Sequence, residues 1–182
     1  MPPKLISTRS VYKNPHAEIM VDEVELNGTR WEQVYVTKTN RDGVAILPVV
    51  GDSVYMVRQY RYPIHESIWQ FPMGGVEKGQ SAEQAARQEL EEETGITHAT
   101  LVKLGTFKPD PGMTSAHMHV YLATDFTVGT AHREKTESDM EVQKIKLTAL
   151  PSMIEAGTAN CGYTMSVYLL YALYRKSKHE TR

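Results

Sequence analysis

The chain has 182 residues, 41% of them hydrophobic, and its 20 basic and 22 acidic side chains leave a formal net charge of −2. That length and balance predict one folded domain with a sizeable core and exclude fibrous or low-complexity classes. Without excess positive charge, with a single cysteine (Cys161) and with no apolar run long enough for a signal peptide or a bilayer span, the expectation is a cytoplasmic protein that partners neither nucleic acid nor membrane.

In chain order, Glu18–Leu26 and Arg30–Thr39 are β-rich runs joined by Asn27-Gly28-Thr29, a strong hairpin signal. A second hairpin follows, from Val44–Val50 through Gly51-Asp52 to Ser53–Tyr60. A short apolar piece, Ile68–Phe71, leads into a loop that carries Gly74, Gly75 and Gly79. The next segment, Ala82–Thr94, reads as a helix: Ser81 and Gln84 make a capping box, and Gly95 supplies the residue that usually ends one. Strands are expected at Thr100–Phe107 and His119–Asp125, around a Pro109-Asp110-Pro111-Gly112 turn. His132–Asp139 is a polar loop, Met140–Leu147 a strand, and Ser152–Ala156 and Thr164–Lys176 are helices. No repeat or linker divides the chain, so the pattern is α+β, a mixed sheet flanked by helices.

The helix carries the chemistry. At about 100° per residue, Ala82, Ala85, Ala86 and Leu90 form its one apolar arc, with Glu89 and Glu93 inside it and Glu92 on its edge. Carboxylates thus occupy positions where a core helix places Leu or Val. They repel one another, burial penalises their charge, and the negative end of the helix dipole adds to the cost. Arg87 points the other way, so the compensating charge comes from outside the helix. All-oxygen ligands call for a hard cation, and few protein ligands with room for water or phosphate suit Mg²⁺ or Mn²⁺ better than Ca²⁺.

At these positions the sequence resembles the Nudix hydrolase signature G-x5-E-x7-R-E-U-x-E-E-x-G-U, where U is aliphatic. Gly74, Glu89, Leu90, Glu92, Glu93, Gly95 and Ile96 match in register, which is seven of the nine specified positions. Gln80 and Gln88 stand where the family carries Glu and Arg, two residues taken to form a salt bridge there. Both partners have become amides together, and two amides can exchange hydrogen bonds. Val57-Arg58-Gln59-Tyr60-Arg61, Trp69–Gly74, Asp110–Thr114 and the hairpin stretch Asn27–Glu32 are similar to the ADP-ribose and nucleoside-diphosphate-sugar pyrophosphatase branch.

The resemblance implies an α/β/α sandwich with an N-terminal antiparallel β-layer over residues 1–40 and a hydrolase domain over 41–182. It implies a homodimer that uses Mg²⁺, with Mn²⁺ as substitute, to cleave the pyrophosphate of a nucleotide sugar. Carried across by position, Met73 (through its carbonyl), Glu89, Glu92 and Glu93 are metal ligands, and Glu92 and Glu93 are catalytic. A further catalytic acid of the family falls beside Ser138, which leaves Glu134, Glu137 or Asp139, with Glu137 preferred. Trp31 stacks on the base, Glu32 contacts its edge, and Arg61 faces phosphate.

Alternation puts Arg58 and Arg61 on opposite strand faces, so at most one of them meets phosphate. His117 and His119 share a strand face, yet no third ligand stands at zinc spacing. Met165, Leu169, Ala172 and Leu173 have helical spacing and read as core or dimer packing. Two alternatives stay open, a nucleoside-triphosphate or RNA-end pyrophosphohydrolase and a non-catalytic ADP-ribose-binding domain.

Overall fold

The computed structural model describes residues 1–15, 17–37, 42–133 and 137–180. It divides into two compact units, Met1–Arg41 with Lys108–His117, and Asp42–Phe107 with Met118–Arg182.

The first unit is a three-stranded antiparallel sheet, β1 (Lys4–Lys13), β2 (Glu18–Leu26) and β3 (Thr29–Thr37), in that spatial order. Asn27 and Gly28 turn the predicted hairpin with φ of 51° and 81°, the left-handed pair that suits a twisted two-residue loop. Thr39, the predicted end of the second strand, lies outside the described residues. The sequence pattern misses β1, because its apolar residues do not alternate and every residue in it is exposed. Residues 108–117 belong here through two bonds to β3: the Val36 N–H donates to the Met113 carbonyl (2.8 Å), and Gln33 Nε2 donates to the Gly112 carbonyl (3.2 Å).

The second unit comprises β4 (Gly43–Val50), β5 (Ser53–Arg61), β6 (Glu66–Gln70), β7 (Met73–Gly75), α1 (Ala82–Thr94), β8 (Ile96–Thr97), β9 (Thr100–Phe107), β10 (Met118–Thr124), β11 (Thr127–Val128), β12 (Glu141–Lys146), α2 (Leu150–Glu155) and α3 (Gly162–Glu180). Its main sheet runs β12-β5-β4-β10-β9, with β6 added on β5 and β7 on β4. The β4–β10 pair is parallel and the other pairs are antiparallel, the mixed sheet expected.

Strand β4 is buried on both faces, hence its unbroken apolar run. Val44 and Ile46 pack with Ala85, Ala86 and Leu90 of α1, whereas Ala45 and Leu47 pack with Leu150 of α2 and Val167 and Tyr171 of α3. Two cores, one on each face of the sheet, make the α/β/α sandwich. α1 starts and stops where its caps predict: the Ser81 side chain accepts the Gln84 N–H, Gln84 accepts the Ser81 N–H, and Gly95 closes the helix at φ 72°.

Candidate active site

α1 turns the predicted face to the sheet. Glu93 is 2% exposed beside buried Ala85, Ala86 and Leu90, Glu89 and Glu92 are half-buried, and Gln84, Arg87, Gln88 and Glu91 are exposed. Strand β7 lies across this face. The Met73 N–H donates to Glu93 Oε2 (3.3 Å), and Gly74 adjoins Glu89 so closely that a Cβ there would overlap its carboxylate. The missing side chain at Gly74 is therefore the space in which the Glu89 carboxylate rests.

Burial, then the neighbouring Glu89 and Glu137 carboxylates, hold the Glu93 carboxyl well above the ordinary carboxylate range; the Met73 N–H and the Arg61 guanidinium offset this only in part. The same interactions locate Glu137 and Arg61 around Glu93. Glu137 is half-buried, whereas exposed Asp139 accepts the Tyr60 N–H through Oδ2 (3.1 Å). Of the three late-loop acids, Glu137 therefore acts on Glu93, Asp139 ties down the end of β5, and Glu134 lies outside the described residues. Arg61 donates from Nε to Gln70 Oε1 (3.3 Å).

One cation escapes the sequence pattern. Arg133 Nε donates to the backbone carbonyl of Glu93 (3.3 Å), placing positive charge at the negative end of α1. Forty residues separate the two, so no local pattern announces the contact. The backbone between runs along the same helix end, with the His132 N–H donating to the Glu92 carbonyl (3.1 Å) and the Gly129 N–H to the Gly95 carbonyl (2.8 Å).

The two amide departures from the signature do meet. Gln80 Nε2 donates to Gln88 Oε1 (2.8 Å), Gln80 Oε1 accepts the Glu77 N–H (3.0 Å), and Gln88 Nε2 donates on to Glu92 Oε1 (3.0 Å). A neutral relay thus joins the glycine loop to an acid of the site. Gln88→Arg alone strands the Gln80 donor against a cation, and Gln88→Arg with Gln80→Glu restores an opposite pair. The single variant should lose more activity and melt lower than the double; equal values for the two would show that the pairing does not matter.

The donor set is oxygen throughout. Glu93 is buried close to two other carboxylates, so these residues fit a hard divalent cation. Among the described residues no three His, Cys, Asp or Glu side chains already surround one point as a metal cage.

Trp31 and Glu32 lie in the other unit. Trp31 is 38% exposed and pairs with Val24; Glu32 pairs with Glu23 and binds Arg9 (2.7 Å). As strand neighbours they project from opposite faces of their sheet. His119 is occupied by Asp42 at Nε2 (3.1 Å) and Thr106 at Nδ1 (3.2 Å), a structural bridge at the start of β4.

Comparison with known proteins agrees with this geometry. The NUDIX domain family matches residues 39–160. An ADP-ribose pyrophosphatase of Bacillus subtilis (strain 168) is 32% identical over 155 residues, 84% of this chain and 83% of that protein. A methanol dehydrogenase activator of Bacillus methanolicus is 32% identical over 150 residues, 80% of this chain and 78% of that protein. Among solved structures, an ADP compounds hydrolase shares the fold with TM-score 0.89, at 23% identity, over 98% of this chain and 96% of its own. With its signature acids gathered on one helix face against β7 and over two thirds of a curated relative aligned, the chain belongs to the Nudix family of hydrolases.

Proposed function

We propose that the chain hydrolyses the pyrophosphate bond of nucleoside diphosphate sugars of the ADP-ribose type, releasing a nucleoside monophosphate and a sugar phosphate, with Mg²⁺ as the metal and Mn²⁺ as a substitute. The observation that carries this reading is the buried Glu93, crowded by Glu89 and Glu137 and acted on by the Arg61 guanidinium. The names of the relatives from Bacillus subtilis and, at 34% identity over 52% of this chain, of the ADP-sugar pyrophosphatase of Mus musculus support the substrate class.

Glu89, Glu92 and Glu93, with the Met73 carbonyl, would hold the metal. When bound it neutralises charge developing on the phosphoryl oxygens and lowers the pKa of a water. Arg61 draws the diphosphate toward the acids, which alone would repel it. Glu137, half-buried on its loop, orients the attacking water and accepts its proton. The new bond forms between the water oxygen and one phosphorus, and the bridging phosphate oxygen leaves in line with it.

Trp31 supplies a stacking face for the base; Glu32, on the opposite face of its sheet and paired with Arg9, does not share that face. Leu5, Ile6, Val11, Tyr12 and Val34 are exposed on the same N-terminal sheet, and covering them by a second copy supports a homodimer. The single cysteine supports a reducing, cytoplasmic setting.

The test is product analysis with Mg²⁺ across ADP-ribose, GDP-mannose, UDP-glucose, NADH and dGTP. AMP and ribose 5-phosphate from ADP-ribose, in preference to dGMP from dGTP, supports the reading. Preference for dGTP, or binding of ADP-ribose without turnover, overturns it.

A further inference from the structure

Gln70 ends β6, opposite Val57 of β5, and is 1% exposed. Its carboxamide oxygen accepts the Arg61 Nε–H, while its Nε2 is buried and meets no hydrogen-bond acceptor among the described residues. Turning the amide over would set its N–H₂ against the guanidinium, donor against donor, so Arg61 fixes this orientation. A buried amide with unmade donor bonds is costly to keep. Val57, its register partner, and Ile68, two positions back on the same strand face, are buried apolar residues, so Leu or Met would stand here at lower cost. Folding therefore does not explain why an amide stands here.

Arg61 does. The contact uses its Nε edge, and the guanidinium also acts electrostatically on Glu93. A carboxylate at position 70 would hold the same edge and cancel the charge. The amide holds it and cancels nothing. We infer that Gln70 is the positioning residue of Arg61: it fixes the guanidinium through a neutral acceptor and leaves the positive charge and both terminal nitrogens to the substrate's diphosphate. This rests on the proposed function, in which Arg61 faces phosphate.

The experiment compares wild type, Gln70→Met, Gln70→Glu, Arg61→Ala and Gln70→Met with Arg61→Ala. It measures kcat and KM for ADP-ribose at saturating Mg²⁺, the Kd of a methylene-bridged, non-hydrolysable ADP-ribose analogue by calorimetry, and Tm. For Gln70→Met, KM and Kd should rise about tenfold, as expected for losing a hydrogen bond that places a charge, with kcat within about threefold. Its Tm should be no lower than wild type, the opposite of what a merely structural residue would show. Gln70→Glu should raise KM and Kd at least as much, because it neutralises Arg61. In the Arg61→Ala background the Met substitution should add little.

KM and Kd within twofold of wild type in both Gln70 variants would overturn the inference, as would a full tenfold effect persisting without Arg61. A wild-type protein that neither binds the analogue nor turns over ADP-ribose would instead overturn the functional reading beneath it.

Discussion

Glu93→Gln should lower kcat by about a thousandfold or more and, in the metal-free protein at pH 8, raise the melting temperature. The first effect follows from removing a charged ligand at the centre of the site, where electrostatic stabilisation is usually the largest single contribution. The second follows from burial. In the folded, metal-free protein the Glu93 carboxyl is held above the ordinary carboxylate range by desolvation, Glu89 and Glu137. Between the unfolded pKa, about 4.3 for Glu, and that raised value, the native state binds more protons than the unfolded one. Stability therefore falls as pH rises through this window, and above it the whole penalty is felt.

Glutamine keeps the shape and an acceptor for the Met73 N–H but carries no charge to desolvate. The variant should gain a few degrees at pH 8, about 2–4 °C for each kcal/mol relieved in a domain of this size, and little at pH 5. Thermal melts in chelator at both pH values check this. Added Mg²⁺ should raise the wild-type melt and leave the variant's almost unmoved.

Gly74→Ala should cost about a hundredfold in kcat/KM while leaving the fold standing. The added methyl would occupy the space of the Glu89 carboxylate, the far end of a flexible side chain. The backbone need not move, so Tm should change little. The carboxylate must swing away, and a displacement of about 1 Å in a positioned group is enough for a loss of that order. Gly75→Ala is the control: a Cβ at Gly75 meets nothing within 4 Å, so that variant should keep near-normal activity. Steady-state kinetics with melting curves on both proteins separate the two outcomes. A large fall in Tm for Gly74→Ala would show that the glycine serves the strand rather than the acid.

Local physics makes much of this fold legible in the sequence. Ser81, Gln84 and Gly95 carry their capping chemistry in nearby residues, so the ends of α1 are readable from sequence. Glu89 and Glu93 stand out because they break an apolar arc, which needs only helical geometry. The Gln80–Gln88 contact is readable because both positions depart from a charged pair together.

Other features depend on partners distant in the chain. β1 has no alternation to betray it, since all its residues are exposed and its pairing with β2 alone makes it a strand. Segment 108–117 reads as a plain turn, yet Val36 and Gln33 bind it to the N-terminal sheet. Arg133 reaches α1 from beyond several intervening strands. That Glu137 acts on Glu93 while Asp139 binds the Tyr60 N–H depends on how the loop turns each side chain, and spacing alone does not decide it. Gln70 is the sharpest case, a residue inside an apolar run whose bond to Arg61 and unpartnered Nε2 no local pattern announces.

Everything in the proposed chemistry depends on acids facing the sheet so as to capture a divalent ion. Isothermal titration of metal-free protein with Mn²⁺, wild type beside Glu93→Gln, tests that most directly. Saturable uptake by wild type, weakened at least tenfold in the variant, is the expected result. No uptake by wild type, or equal uptake by both proteins, would contradict it.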